Sequence, residues 1–160
     1  MGAPPAVVLL SQLLAPDRVR VPLTSRDKPN VLRELVELLV RCSGGSQDDI
    51  LHAVRERESC QTTGFGFGVA IPHARSPSLP ALTLVAGHAP QAIEYGALDG
   101  KPVRLFFLLA GPETVAASQV RVLARIARLV RRDYVRERLL AAATPEAFCQ
   151  VVREAEEPGT

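Results

Sequence analysis

The chain has 160 residues, 47% of them hydrophobic and 22% charged, with a formal net charge of +2 at pH 7. That length makes one domain with enough apolar material for a core, and no run approaches the roughly 18 apolar residues of a membrane span, so direct membrane insertion is not expected. The basic residues are nearly all arginine, Lys28 and Lys101 being the only lysines, and so small a net charge gives no reason to expect nucleic acid as a partner.

The first six residues have neither the charged nor the apolar region of a secretory signal, and Ala6 fails the hydroxyl requirement of a myristoylation site. A cytoplasmic location is therefore expected. Residues 1–6 and the polar tail 156–160 are expected to be mobile around a domain spanning 7–155. After Pro29 and Asn30, Val31, Leu32, Leu35, Val36, Leu38 and Leu39 form an apolar face at helical spacing that breaks at Gly44-Gly45. Ser46 to Asp49 has the form of a capping box, and Ile50, Leu51 and Val54 carry a second helix with Arg57 and Glu58 at its C-terminal end.

Gly64, Gly66 and Gly68 then recur with period two. They predict one extended strand with a bare face, opposed by Phe65, Phe67 and Val69. Pro72 cannot donate to a ladder, so that strand should stop there and turn His73 out at its end. Beyond a proline-rich loop, Thr83 to His88 alternates as a strand, and Val103 to Leu109 is a nearly continuous apolar run expected to be buried on both faces. Further helices are expected at about 115–131, 134–143 and 145–154. Strands interleaved with helices on both sides predict an α/β fold, a single three-layer domain.

Among the reactive side chains, His73 stands out, because an imidazole titrates near neutrality and attacks through one nitrogen while the other is held by a hydrogen bond. Cys42, Cys60 and Cys149 are odd in number and widely spaced, which indicates neither a disulfide framework nor a zinc site, and they are expected to be reduced, buried thiols. Cys60 with His73 as a hydrolase pair lacks a third member. His52 and His88 have no ligand spacing, so no metal is expected.

The run from Thr62 to Arg75, ending in Pro72-His73 and preceded by Arg57-Glu58, resembles the active-site signature of type 2 enzyme IIA domains of the bacterial phosphotransferase system, the fructose, mannitol and nitrogen-related IIA proteins. Tyr95 to Val103, with Leu105 to Leu109 and Gly111-Pro112, resembles a second block of that family, and the likeness runs from roughly Leu13 to Val152. It implies a mixed β-sheet flanked by helices on both faces, His73 as phosphoryl acceptor, Arg57 as the active-site arginine, and no metal or organic cofactor. It also implies a phosphocarrier protein of the HPr type as donor, and a IIB component or regulatory target proteins downstream. Where the family keeps a second histidine, this chain has Gln119, which can donate a hydrogen bond but cannot carry charge.

The chemistry fits those roles. Phosphoryl transfer needs an in-line nucleophile and fixed donors for charge on the oxygens. The Arg57 fork, the Thr62 and Thr63 hydroxyls, nearby backbone N–H groups and Arg75 are candidates for that work. Blander readings stand beside these: Arg57 as a helix C-terminal arginine complementing the dipole, Arg75 as a solvated loop residue. The stripe of Arg121, Arg125, Arg128 and Arg132 is read as a docking face or, more simply, as a solvated one. The expected arrangement is a free-standing IIA of the nitrogen-related branch. A IIA of a fructose or mannitol uptake system and a binding-only regulator are the alternatives.

Overall fold

The computed structural model describes residues 8–157. Residues 1–6 and 158–160 of the expected mobile ends lie outside that range. Asp27 accepts a hydrogen bond from Asn30 N at 2.9 Å and starts helix α2 (Lys28–Ser43), following a short α1 (Leu10–Leu13). The helix stops at Gly44, at φ 79°, a left-handed position that suits glycine. Ser46 Oγ then accepts from Asp49 N at 3.3 Å and starts α3 (Gln47–Cys60), as its capping pattern predicts. Helices α4 (Ala116–Val130), α5 (Asp133–Ala141) and α6 (Pro145–Glu156) complete the set.

The sheet has six strands: β1 (Val19–Arg20), β2 (Gly64–Gly66), β3 (Val69–Ala70), β4 (His73–Arg75), β5 (Thr83–Ile93) and β6 (Val103–Gly111). Strand β6 is central, antiparallel to β5 on one side and parallel to both β3 and β4 on the other. Strand β1 adds parallel to β5, and β2 antiparallel to β3, so the sheet is mixed. Along β6, Leu105, Phe107 and Leu109 pack with α4, α5 and α6, while Phe106, Leu108 and Ala110 pack with α2 and α3. Period-two alternation thus feeds two cores from one strand, each buried Leu or Phe contributing roughly 1.5–3 kcal/mol. The domain has three layers.

Three expectations change. The glycine-alternating segment is a hairpin rather than one strand: Phe67 (φ 59°) and Gly68 (φ 77°) form its turn, both central residues at positive φ as a type I′ turn requires. Phe67 is therefore 56% exposed instead of packed, with the Arg136 guanidinium 4.7 Å from its ring centroid. His73 opens strand β4 instead of closing the preceding one, because Pro72 interrupts the ladder only briefly and the chain rejoins β6 at Leu109. Glu156, assigned to the tail, belongs to α6, where its carboxylate accepts from Leu10 N (2.7 Å) and Ser11 N (2.8 Å).

Candidate active site

The hairpin and β4 bring His73 to the rim of a cleft of about 590 Å³ between α3, β4 and α4. Ala53, Glu56, Arg57 and Cys60 supply one wall from a single face of α3, and Gln119, Val120 and Leu123 supply the other from α4. A second hollow adjoins it at Arg57, His73 and Leu123, and runs past Thr62, Phe65 and Leu98.

The His73 ring is half-buried, and its Nδ1 lies 2.9 Å from Ile71 O. A carbonyl oxygen only accepts, so Nδ1 carries the proton and Nε2 keeps its lone pair. Burial pushes the His73 pKa below its ordinary value of 6.5; the hydrogen bond to Ile71 and the Glu58 charge oppose this, and the Arg57 and Arg75 charges reinforce it. Burial thus favours the neutral ring, and the Ile71 contact favours its Nδ1–H tautomer.

Arg57 lines both hollows, and its Nη1 donates to Gln61 O at 2.8 Å across the end of α3. The capping role and the place beside His73 coexist. Arg75 lines the cleft while paired with Glu113 at 3.2 Å. Thr62 Oγ1 accepts from Gly64 N at 3.0 Å and keeps its own proton to donate.

Thr63 departs from the expectation. Its hydroxyl donates to Glu58 Oε2 in a short hydrogen bond and lies 3.0 Å from Tyr95 Oη, so it is spent in a buried cluster rather than offered to a ligand. Glu58 also accepts from Thr63 N (2.9 Å) and pairs with Lys28 Nζ (2.9 Å). Burial would raise the Glu58 pKa, but the hydrogen bonds from Thr63 and Lys28 outweigh it and hold the carboxyl below the ordinary range. Gln119, 2% exposed, donates from Nε2 to Ala74 O at 3.0 Å, and its Oε1 has no partner. It braces the backbone next to His73.

Cys60, expected to be buried, is exposed at the cleft wall; Cys149 is buried and Cys42 half-buried. The arginine stripe is divided: Arg125 of α4 lies 3.8 Å from Glu156, and Arg132, past the end of α4 at the start of α5, donates to Ala155 O at 2.9 Å, both holding the end of α6, while Arg121 and Arg128 are exposed. Among the described residues no cluster of three or more His, Cys, Asp or Glu is placed to hold a metal ion, and no helix is long and apolar enough to cross a membrane. The Lys28–Glu58–Tyr95 cluster was missed by sequence reasoning. Its one signal was Glu58 continuing the buried stripe of Ile50, Leu51 and Val54 at helical spacing.

The family model for the phosphoenolpyruvate-dependent sugar phosphotransferase system, EIIA 2, matches residues 12–155. A nitrogen regulatory protein of Bradyrhizobium diazoefficiens is 32% identical over 143 residues, 89% of this chain and 94% of that protein. The fructose-specific EIIABC component of Bacillus subtilis is 29% identical over 146 residues, 91% of this chain but 23% of that longer protein. The crystal structure of nitrogen regulatory protein IIA-Ntr from Neisseria meningitidis superposes with a TM-score of 0.84 at 28% identity, covering 89% of this chain and 98% of that one. The chain belongs to the type 2 enzyme IIA family, whose members are phosphotransferase components.

Proposed function

We propose that this protein is a cytoplasmic phosphohistidine carrier that takes a phosphoryl group on Nε2 of His73 from an HPr-type phosphocarrier. The observation that carries this reading is the Nδ1 contact to Ile71 O, which makes Nε2 the unprotonated atom of the neutral ring, in a hollow that Arg57 also lines. As the N–P bond of the donor phosphohistidine breaks, its electron pair returns to the donor imidazole while Nε2 of His73 forms the new bond in line. The Arg57 guanidinium and the Thr62 hydroxyl are sited to receive charge on the equatorial oxygens. The positive charge that the phosphorylated ring acquires is shared with Ile71 O through Nδ1–H.

The length-spanning likeness to a nitrogen regulatory protein favours the regulatory branch, with target proteins or a IIB component downstream. The reading is tested with phosphoenolpyruvate, enzyme I and an HPr-type carrier. His73 should acquire an acid-labile, alkali-stable label, and a folded His73→Ala protein none; persistent label on that variant overturns the assignment. Faster labelling from a nitrogen-branch enzyme I and carrier than from a sugar-branch pair supports the regulatory role, and the reverse moves the protein to sugar uptake.

A further inference from the structure

The buried cluster under the hairpin is connected to His73 by an unbroken series of hydrogen bonds. Lys28 Nζ sits 2.9 Å from Glu58 Oε1, donates to Tyr95 O at 3.0 Å and lies 4.3 Å from the centroid of the Tyr95 ring. Tyr95 Oη lies 3.3 Å from Glu58 Oε2, and burial pushes its pKa far above the usual phenol value, so it remains a donor. Glu58 takes both the N–H and the hydroxyl of Thr63. The Thr63 carbonyl accepts from Ile71 N at 2.9 Å, and the Ile71 carbonyl accepts from His73 Nδ1. Thr63 and Ile71 flank the two legs of the hairpin, so fixing one fixes the other.

The close approach of chain segments makes this base rigid. A Cβ at Gly64 would come within 2.6 Å of Ala97, and Gly64 O accepts from Leu98 N at 3.1 Å, locking the hairpin onto the segment that carries Tyr95. A carbonyl that selects a histidine tautomer must be held to within a few tenths of an ångström and a few degrees, because hydrogen bonds weaken steeply with misalignment. Backbone held only by a three-residue strand on one leg and a two-residue strand on the other lacks that precision. The ionised carboxylate, with two bonds to Thr63, supplies it.

We infer that Glu58, anchored by Lys28 and Tyr95, is a positioning residue that sets the Ile71 carbonyl and through it the tautomer and direction of the His73 ring. This rests on the phosphocarrier reading for its functional consequence, but its physical content is separate and is read by nitrogen NMR of the unphosphorylated protein. In the parent, the His73 ring should be overwhelmingly protonated at Nδ1. Glu58→Gln keeps the shape and removes the charge; it should give a mixture of Nδ1–H and Nε2–H forms and slow phosphoryl acceptance about ten- to hundredfold, the scale of a reacting group misplaced by about an ångström.

Lys28→Met, at a half-exposed position, should act in the same direction more weakly, and Lys28→Arg should restore part of the effect. Glu34→Gln, a buried carboxylate that lines neither hollow at His73, is the control and should change neither reading. Parent tautomer and parent rate in folded Glu58→Gln overturn the inference, as does loss of stability with an unchanged ring. If Glu58→Gln fails to fold, Lys28→Met decides in the same way. A parent protein that shows the single tautomer yet takes no label would contradict the phosphocarrier reading instead, leaving the positioning of the ring in place.

Discussion

Glu34 on α2 and Glu58 on α3 are buried to a similar degree, 5% and 8% exposed, and each is surrounded by a cation and hydroxyl donors. Glu34 takes Thr24 N and Oγ1, Ser25 N and Oγ at 2.7–3.1 Å, with Arg20 at 3.3 Å. Glu58 takes Thr63 twice, with Lys28 and Tyr95 around it. In both, burial would raise the pKa and the hydrogen bonds more than offset it. The same solution to the cost of a buried charge therefore pins two different loops. One joins β1 to α2 and serves the fold; the other leads from α3 into the hairpin and serves the ring of His73.

The difference lies in what each loop touches next, and substitutions at and around the cleft make it measurable. Arg57→Ala should have the largest effect on transfer, slowing it roughly ten- to a thousandfold, the range for losing one preorganised donor. Its thermal midpoint should barely move, since a half-buried side chain gives up one capping hydrogen bond. An unchanged rate in a phosphotransfer assay would leave Arg57 with the helix end alone.

Acid unfolding should treat the two carboxylates alike even where activity separates them. Each folded pKa is lowered from 4.5, so the unfolded chain binds more protons just below that value. The stability each contributes is complete above that value and is lost as pH falls through the folded pKa. Glu34→Gln and Glu58→Gln should both flatten the fall of unfolding free energy with acid in urea titrations, while only Glu58→Gln changes transfer. A slope unaltered in either variant would break the parallel.

Gln119→His should give the smallest effect. The amide already braces Ala74 O from a buried position, and an imidazole donor can replace that bond while adding charge beside the phosphoryl group. Folding should be retained and the transfer rate should rise by about tenfold or less. A rate equal to the parent's would confine position 119 to its bond with β4.

The sequence was legible where a residue's local surroundings decide its conformation. The break at Gly44-Gly45 ends α2, Ser46 starts α3, and the two-sided burial of β6 shows in an apolar run that only Arg104 interrupts. The hairpin was not legible, because Gly64, Gly66 and Gly68 satisfy strand periodicity while the turn places an aromatic residue, Phe67, at positive φ, where glycine or asparagine is the usual signal. His73 and Arg57 were singled out through their motif, and both line one cleft. Thr63 was misassigned, since its partners Glu58 and Tyr95, and the Lys28 that pairs with Glu58, come from three separated stretches of chain and only the fold unites them. Elements as short as α1 and β1 have too few residues to show any period.

The central claim is that a ring locked at Nδ1 by Ile71 O offers Nε2 as the accepting atom. Nitrogen and phosphorus NMR of the protein labelled through phosphoenolpyruvate, enzyme I and an HPr-type carrier tests it most directly. The phosphoryl group is expected on Nε2 of His73, with Nδ1 still protonated and bonded to Ile71 O. A phosphoryl group on Nδ1, or on any residue other than His73, would contradict the account.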